Sequence, residues 1–131
     1  MARSVYLDAS AGVKLVLDEP ESAALVSWLS RWPARSSSSL FRTEVVRATR
    51  RALPKRLSRA RGLVTRVSLI AIDDQILDEA ARIDPLSLRS LDAIHLATAL
   101  RLADELEALV TYDRRMIEGA HALGLPVASP A

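Results

Sequence analysis

Cysteine is absent from the 131 residues, so disulfide frameworks, thiolate-held metals and thiol nucleophiles are all excluded. Histidine occurs only at His95 and His121, and two separated imidazoles without a thiolate make a poor structural zinc site. Lysine is as scarce: Lys14 and Lys55 stand against 16 arginines. No segment approaches the roughly 20 apolar residues needed to span a bilayer. The opening MARSVYLDAS meets an aspartate before any long apolar stretch forms, so neither a membrane helix nor a cleaved leader is expected. The expected setting is the reducing cytoplasm. No linker or internal repeat divides the chain, and the serine run at 36–39 is too short to count as disorder. One domain over residues 1–131 is therefore expected, large enough to bury roughly two-thirds of its unfolded surface.

What is present is unevenly charged. The net charge of +2 hides a basic zone between residues 45 and 72 that holds Arg47, Arg50, Arg51, Lys55, Arg56, Arg59, Arg61 and Arg66 and no acid. The rest of the chain carries 10 basic and 16 acidic residues, a net of −6. Arginine binds phosphate as a fork, so the zone points either to a polyanion partner or to a solvated helical face. Arg47, Arg50, Arg51 and Arg56 are the candidates for backbone phosphate contact.

Apolar spacing predicts alternating strands and helices. Residues 4–7 read as a strand ending at Asp8, and 10–17 as a helix start that Pro20 breaks. Residues 21–31 follow as an amphipathic helix stopped by Pro33, with Trp28 and Trp32 on its apolar side. That tryptophan pair is either core or, where exposed, a seam for a partner. Residues 34–39 are a strand placed by context, because serines form strands poorly. Helices are expected at 40–53 and 55–65, then a strand at 67–72 and a helix capped by Asp73. Ser90 reads as the cap of a helix over 91–103, before a strand at 109–112, a helix at 113–123 closed by Gly124, and a last strand at 126–128. This order predicts an α/β fold: a three-layer α/β/α sandwich around a mainly parallel sheet of four to five strands.

Four acids stand where such a fold binds ligands. Asp8 and Asp113 each follow a strand at its carboxyl end, the edge at which open parallel sheets hold their ligands. Asp92 lies in the first turn of its helix, and Glu44 shares an apolar stripe with Phe41 and Ala48. Each acid also has an ordinary reading. Asp8 and Asp113 suit helix caps, Asp92 suits a helix dipole, and Glu44 could pair with Arg47 or Arg51. Four acids on one rim, however, repel one another unless a cation sits among them. An all-oxygen set suits a hard ion, Mg²⁺ or Mn²⁺.

The segments YLDASAGVKL, FRTEVVRA, SLRSLDAIHLATAL and LVTYDRRM, in that order, resemble the PIN-domain ribonucleases, and most closely the VapC-type toxins of bacterial toxin–antitoxin pairs. The likeness runs over residues 5–127. It implies that Asp8, Glu44, Asp92 and Asp113 form a metal-binding active site, and that the hydroxyls of Ser10 and Thr111 lie beside it or touch substrate. It also implies an RNA substrate, homodimerisation and inhibition by a small antitoxin. The chain departs from some relatives in having Arg114 and Arg115 where they carry a further acid, which bears on whether a second ion is held.

Metal-assisted hydrolysis of an RNA phosphodiester is thus the expected chemistry, with Asp8, Asp92 and Asp113 as direct or water-mediated ligands. Glu44 is either a ligand or the base that orients the attacking water. Three alternatives compete: metal-free acid–base catalysis by His95 and His121, a receiver-like phosphoacceptor, and a silent RNA- or partner-binding domain. A receiver would want paired acids at the first strand and a lysine on a late loop, and neither is present.

Overall fold

Ser4–Leu7 form β1, whose alternating side chains feed two separate cores: Val5 and Leu7 enter one and Tyr6 the other. The computed structural model describes residues 3–131. After β1 come α1 (Ala9–Val16), α2 (Ser22–Leu29), β2 (Arg35–Ser38), α3 (Leu40–Ala52) and α4 (Leu57–Thr65). Then follow β3 (Ser68–Ile70), α5 (Asp74–Ala81), α6 (Ser90–Leu100), β4 (Leu106–Val110), α7 (Arg114–Ala122) and β5 (Val127–Ala128). Short 3-10 turns at Pro54–Arg56 and Ala103–Glu105 precede α4 and β4. All strand pairings are parallel and the order is β3-β2-β1-β4-β5.

The sheet divides the helices into two layers. Ala11, Val16, Leu25, Leu29, Phe41, Val45, Ala60 and Leu63 place α1 to α4 on one face. Ile76, Ala80, Leu96, Ala97, Met116 and Ala120 place α5 to α7 on the other. The expected three-layer sandwich is therefore observed, with five strands. Successive strands add outward from β1 through β2 to β3, after which the chain returns to β1 and continues through β4 to β5. The direction of winding reverses between β1 and β4, the place where open parallel sheets hold their ligands, outside the carboxyl ends of the strands.

Several boundaries differ from the sequence expectations. The helix expected at 91–103 begins at Ser90 and ends at Leu100, with Arg89 rather than Ser90 at the cap position. Arg89 is extended (φ −75°, ψ 157°) and its carbonyl accepts from Ala93 N–H, so Ser90 already belongs to the first turn. Ala103 takes a left-handed backbone (φ 43°), which prevents the helix from running on. β4 starts at Leu106 and stops at Val110 instead of covering 109–112, which frees Thr111 and Tyr112 to turn across the sheet edge. Trp28 and Trp32 are half-buried against the first core, their rings 6.1 Å apart at 43°. Among the described residues, no helix is long and apolar enough to cross a membrane.

Candidate active site

The edge at the carboxyl ends of β1 and β4 is organised by one buried acid. Asp8 ends β1, caps α1 and is only 4% exposed. Its Oδ1 accepts from Ala11 N–H (3.0 Å) and from Ser10 Oγ (2.7 Å), while Thr111 Oγ1 donates to Oδ2 (2.5 Å). Ser10 Oγ in turn accepts from Tyr112 N–H at 2.9 Å, and Thr111 Oγ1 accepts from Asp113 N–H at 3.1 Å. Both hydroxyls thus stitch the end of β1 to the turn after β4. Burial pushes the Asp8 carboxyl up, and the donors from Thr111, Ser10 and Ala11 oppose that rise.

The capping reading of Asp8 and Asp113 is also observed, because both cap a helix. Asp113 Oδ1 accepts from Arg115 N–H at 2.9 Å and its side chain stays half-buried. Asp92, in the first turn of α6, sits close enough to Asp113 to sense its charge. Burial raises the Asp92 carboxyl and the neighbouring Asp113 carboxylate raises it further. No described ion pair involves Asp8, Asp92 or Asp113. The rim therefore carries repelling acids without a paired cation.

Glu44 projects from α3 in the opposite helix layer, yet it reaches the same edge. Its partner is neither Arg47 nor Arg51 but His95 of α6, with Oε1 and Nε2 2.6 Å apart. His95 lies one turn after Asp92, so this contact sets Glu44 beside it. The imidazole is 2% exposed and its Nδ1 meets Tyr6 Oη at 2.7 Å. Both ring nitrogens are engaged, leaving neither free to act as acid or base on RNA. His121 is exposed near the far end of α7, two turns from Asp113. The paired-histidine alternative has no geometry to support it.

The arginines separate into two groups. Arg47, Arg50 and Arg51 are exposed on α3 and line a polar hollow, and Arg47 and Arg51 also border a second hollow with Glu44 and Leu91. Arg56 is different. Its guanidinium donates to Val16 C=O (3.1 Å) and to Asp18 Oδ2 (2.8 Å), tying the turn before α4 to the end of α1. Arg56 is thus a tie between helices rather than part of the open basic surface.

From sequence, Tyr6 reads only as part of a strand and His95 as a candidate acid–base group, whereas in the structure both are buried behind Glu44. A tyrosine one residue from a buried acid's neighbour, with a histidine at i+3 from Asp92, was the available signal. As arranged here, no three Asp, Glu or His side chains among the described residues stand close enough to enclose a metal ion. Asp8 is buried, whereas Glu44, Asp92 and Asp113 are half-buried, with Glu44 held by His95 and Asp113 by Arg115 N–H.

A family model described as "PIN domain" matches residues 5–122. Ribonuclease VapC46 of Mycobacterium tuberculosis is 44% identical over 128 residues, covering 98% of both chains. The chain belongs to the PIN-domain family, in its VapC-type branch. Two further VapC-type relatives from M. tuberculosis agree: Ribonuclease VapC47 is 38% identical and Ribonuclease VapC35 43% identical, each over 96% of both chains. Solved structures show the same fold at lower identity. M. tuberculosis VapC20, described as a Sarcin-Ricin loop cleaving toxin, superposes with a TM-score of 0.74 at 18% identity, over 96% of this chain and 99% of that one. A toxin–antitoxin complex from Klebsiella pneumoniae gives 0.73 at 22% identity, over 97% and 98%. The VapC-type assignment therefore rests on near-full-length sequence identity, and the fold on geometry as well.

Proposed function

We propose that this chain is a divalent-metal-dependent endoribonuclease, the toxin of a toxin–antitoxin pair, acting through Asp8, Glu44, Asp92 and Asp113. The observation that carries the reading is the acidic rim, where burial and then the charge of Asp113 raise Asp92 against a smaller opposing pull from Arg89, and no described ion pair engages either acid. The donor set is all oxygen and fits Mg²⁺ or Mn²⁺. Asp8 would be the fixed ligand, and Asp92 and Asp113 would turn toward it. Glu44 would serve as a ligand or as the base that orients the attacking water. A divalent ion, when bound, supplies an activated water and relieves charge on the phosphoryl oxygens.

The chain's own residues do the rest. Ser10 and Thr111 hold the Asp8 carboxylate in one orientation through both of its oxygens. Arg47, Arg50 and Arg51 offer exposed forks for an RNA backbone next to Glu44. Water attack on phosphorus with departure of the 3′ oxygen leaves a 5′-phosphate and a 3′-hydroxyl.

A cytoplasmic protein acting as one domain, a homodimer and an antitoxin partner belong to the same proposal. VapC-type names among the relatives and the complex from K. pneumoniae support the partner. Sedimentation of the purified chain, alone and with the product of any small neighbouring reading frame, measures both assemblies.

The deciding experiment is RNA cleavage by wild type and Asp8→Asn, with Mg²⁺, Mn²⁺ or EDTA. Cleavage should need either ion, stop with EDTA, vanish in Asp8→Asn and yield 5′-phosphate ends. Cleavage that persists in EDTA would overturn the metal reading, and a folded wild type with no cleavage under any condition would favour a silent binding domain.

A further inference from the structure

A three-residue hydrogen-bonded chain crosses from the sheet to Glu44 at the acidic rim, and the cleavage chemistry described above gives no role to its other two members, Tyr6 and His95. Tyr6, fully buried in β1, receives Ser38 N–H on its Oη at 3.1 Å. Burial drives the Tyr6 phenol far above its ordinary value, so the hydroxyl stays protonated and must donate. Since Oη already receives Ser38 N–H, its 2.7 Å contact with His95 Nδ1 is assigned with Oη donating. With Nδ1 accepting, the imidazole carries its ring hydrogen on Nε2 and donates it to Glu44 Oε1 at 2.6 Å. The Tyr6 ring also stands edge-on to the imidazole, at 5.8 Å and 79°, which blocks ring rotation.

We propose that His95 is a positioning residue for Glu44, held in one tautomer and one plane by Tyr6, so that Glu44 meets the metal site through Oε2 alone. The inference rests on the acidic-site reading given under the proposed function. Three observations carry it. The contact joins α3 and α6, whose apolar faces belong to cores on opposite sides of the sheet. The His95 side chain is 3% exposed while that of Glu44 is 23% exposed, so the histidine is the fixed member and the carboxylate the one being aimed. His95 follows Asp92 by one turn, so one helix supplies a rim acid and the group that aims another. Groups that orient a ligand from behind matter to metal sites nearly as much as the ligands.

The test compares Mn²⁺ affinity of the RNA-free protein, read by electron paramagnetic resonance of free ion, with cleavage at saturating Mn²⁺. His95→Gln can place an amide N–H where Nε2 stood, whereas His95→Asn reaches only toward Tyr6. We expect His95→Asn to weaken Mn²⁺ by about 10- to 100-fold, and His95→Gln to lose at least tenfold less than His95→Asn. In a Glu44→Gln background, His95→Asn should add less than about twofold, since the two changes break one interaction. Tyr6→Phe keeps the ring, and should weaken Mn²⁺ several-fold by releasing the tautomer; it carries the test if His95→Asn melts below the assay temperature. If Glu44→Gln weakens Mn²⁺ while both His95 variants match each other or wild type, the positioning role is wrong and the acidic site stands. If Glu44→Gln itself binds Mn²⁺ and cuts RNA like wild type, Glu44 is outside the site and both readings fall.

Discussion

Thr111 donates its hydroxyl proton to Asp8 Oδ2, joining two residues 103 positions apart across the seam between β4 and β1. Thr111 is fully buried, and the same oxygen accepts Asp113 N–H, so one hydroxyl fixes both the central acid and the start of α7.

Thr111→Val keeps the shape and removes that hydroxyl. It leaves Asp8 Oδ2 and Asp113 N–H without their partner, and should cost about 1–3 kcal/mol of stability by denaturant unfolding. Cleavage should fall with it, and Thr111→Ser should recover most of both. A valine variant as stable and active as wild type would remove the hydroxyl from the site.

The pH dependence of the metal-free protein follows from Asp92. Its carboxyl is raised by burial and by the Asp113 charge. A raised acid binds its proton more tightly folded than unfolded. Its stabilisation is complete below the ordinary carboxylate value and is lost as pH climbs through the raised value. The melting temperature of wild type minus that of Asp92→Asn should therefore increase as pH drops from about 7 to about 5. Adding Mg²⁺ at neutral pH should stabilise wild type and leave the variant with less gain. A pH-independent difference, with equal Mg²⁺ gains, would contradict this account.

The arginines should separate by salt dependence. Removing Arg47, Arg50 and Arg51 together should flatten the plot of log affinity against log salt, by roughly 0.7 per lost contact to a single strand. Arg56→Ala should leave the slope alone and lower the melting temperature, because it releases Val16 and Asp18. Equal slopes in the triple variant and wild type would return α3 to a merely solvated face.

At Gly12, α1 packs directly against Phe41 and Val45 of α3. A Cβ there would stand 2.6 Å from Phe41 Cε1 and 2.7 Å from Val45 Cγ2. Gly12→Ala should cost about 1–3 kcal/mol by overpacking. Because Val45 adjoins Glu44, cleavage should fall further than the thermal melt alone accounts for. A variant that melts lower but cleaves normally would show that α3 absorbs the strain without moving Glu44.

Much of the architecture is legible in the chain because local patterns agree with it. Asp73 reads as a cap and accepts Ile76 N–H at 2.9 Å, and the apolar spacing of residues 4–7 yields β1 with its two-faced burial. The start of β4 is not legible. Residues 101–108, rich in leucine, alanine and glutamate, favour a continuing helix, and only the left-handed turn at Ala103 prevents it. Asp8 and Asp113 can be placed at one rim from strand order alone. The partner of Glu44 cannot, because His95 lies 51 residues away in the other helix layer and nothing local signals their meeting. Arg56 looks like its neighbours in sequence, and only the tertiary position of Asp18 distinguishes it.

The strand order also sets a timetable. β1 leaves the ribosome well before its neighbour β4, and Asp8 precedes by 103 positions the Thr111 hydroxyl that grips it. Synthesis at about 5–20 residues per second separates these events by several seconds. During that interval Asp8 lacks Thr111, Asp92 lacks Asp113, and the edge of β1 that pairs with β4 is uncovered. An emerging chain therefore completes the surroundings of Asp8 only when β4 has joined β1, so the acidic rim is among the last parts of the fold to assemble.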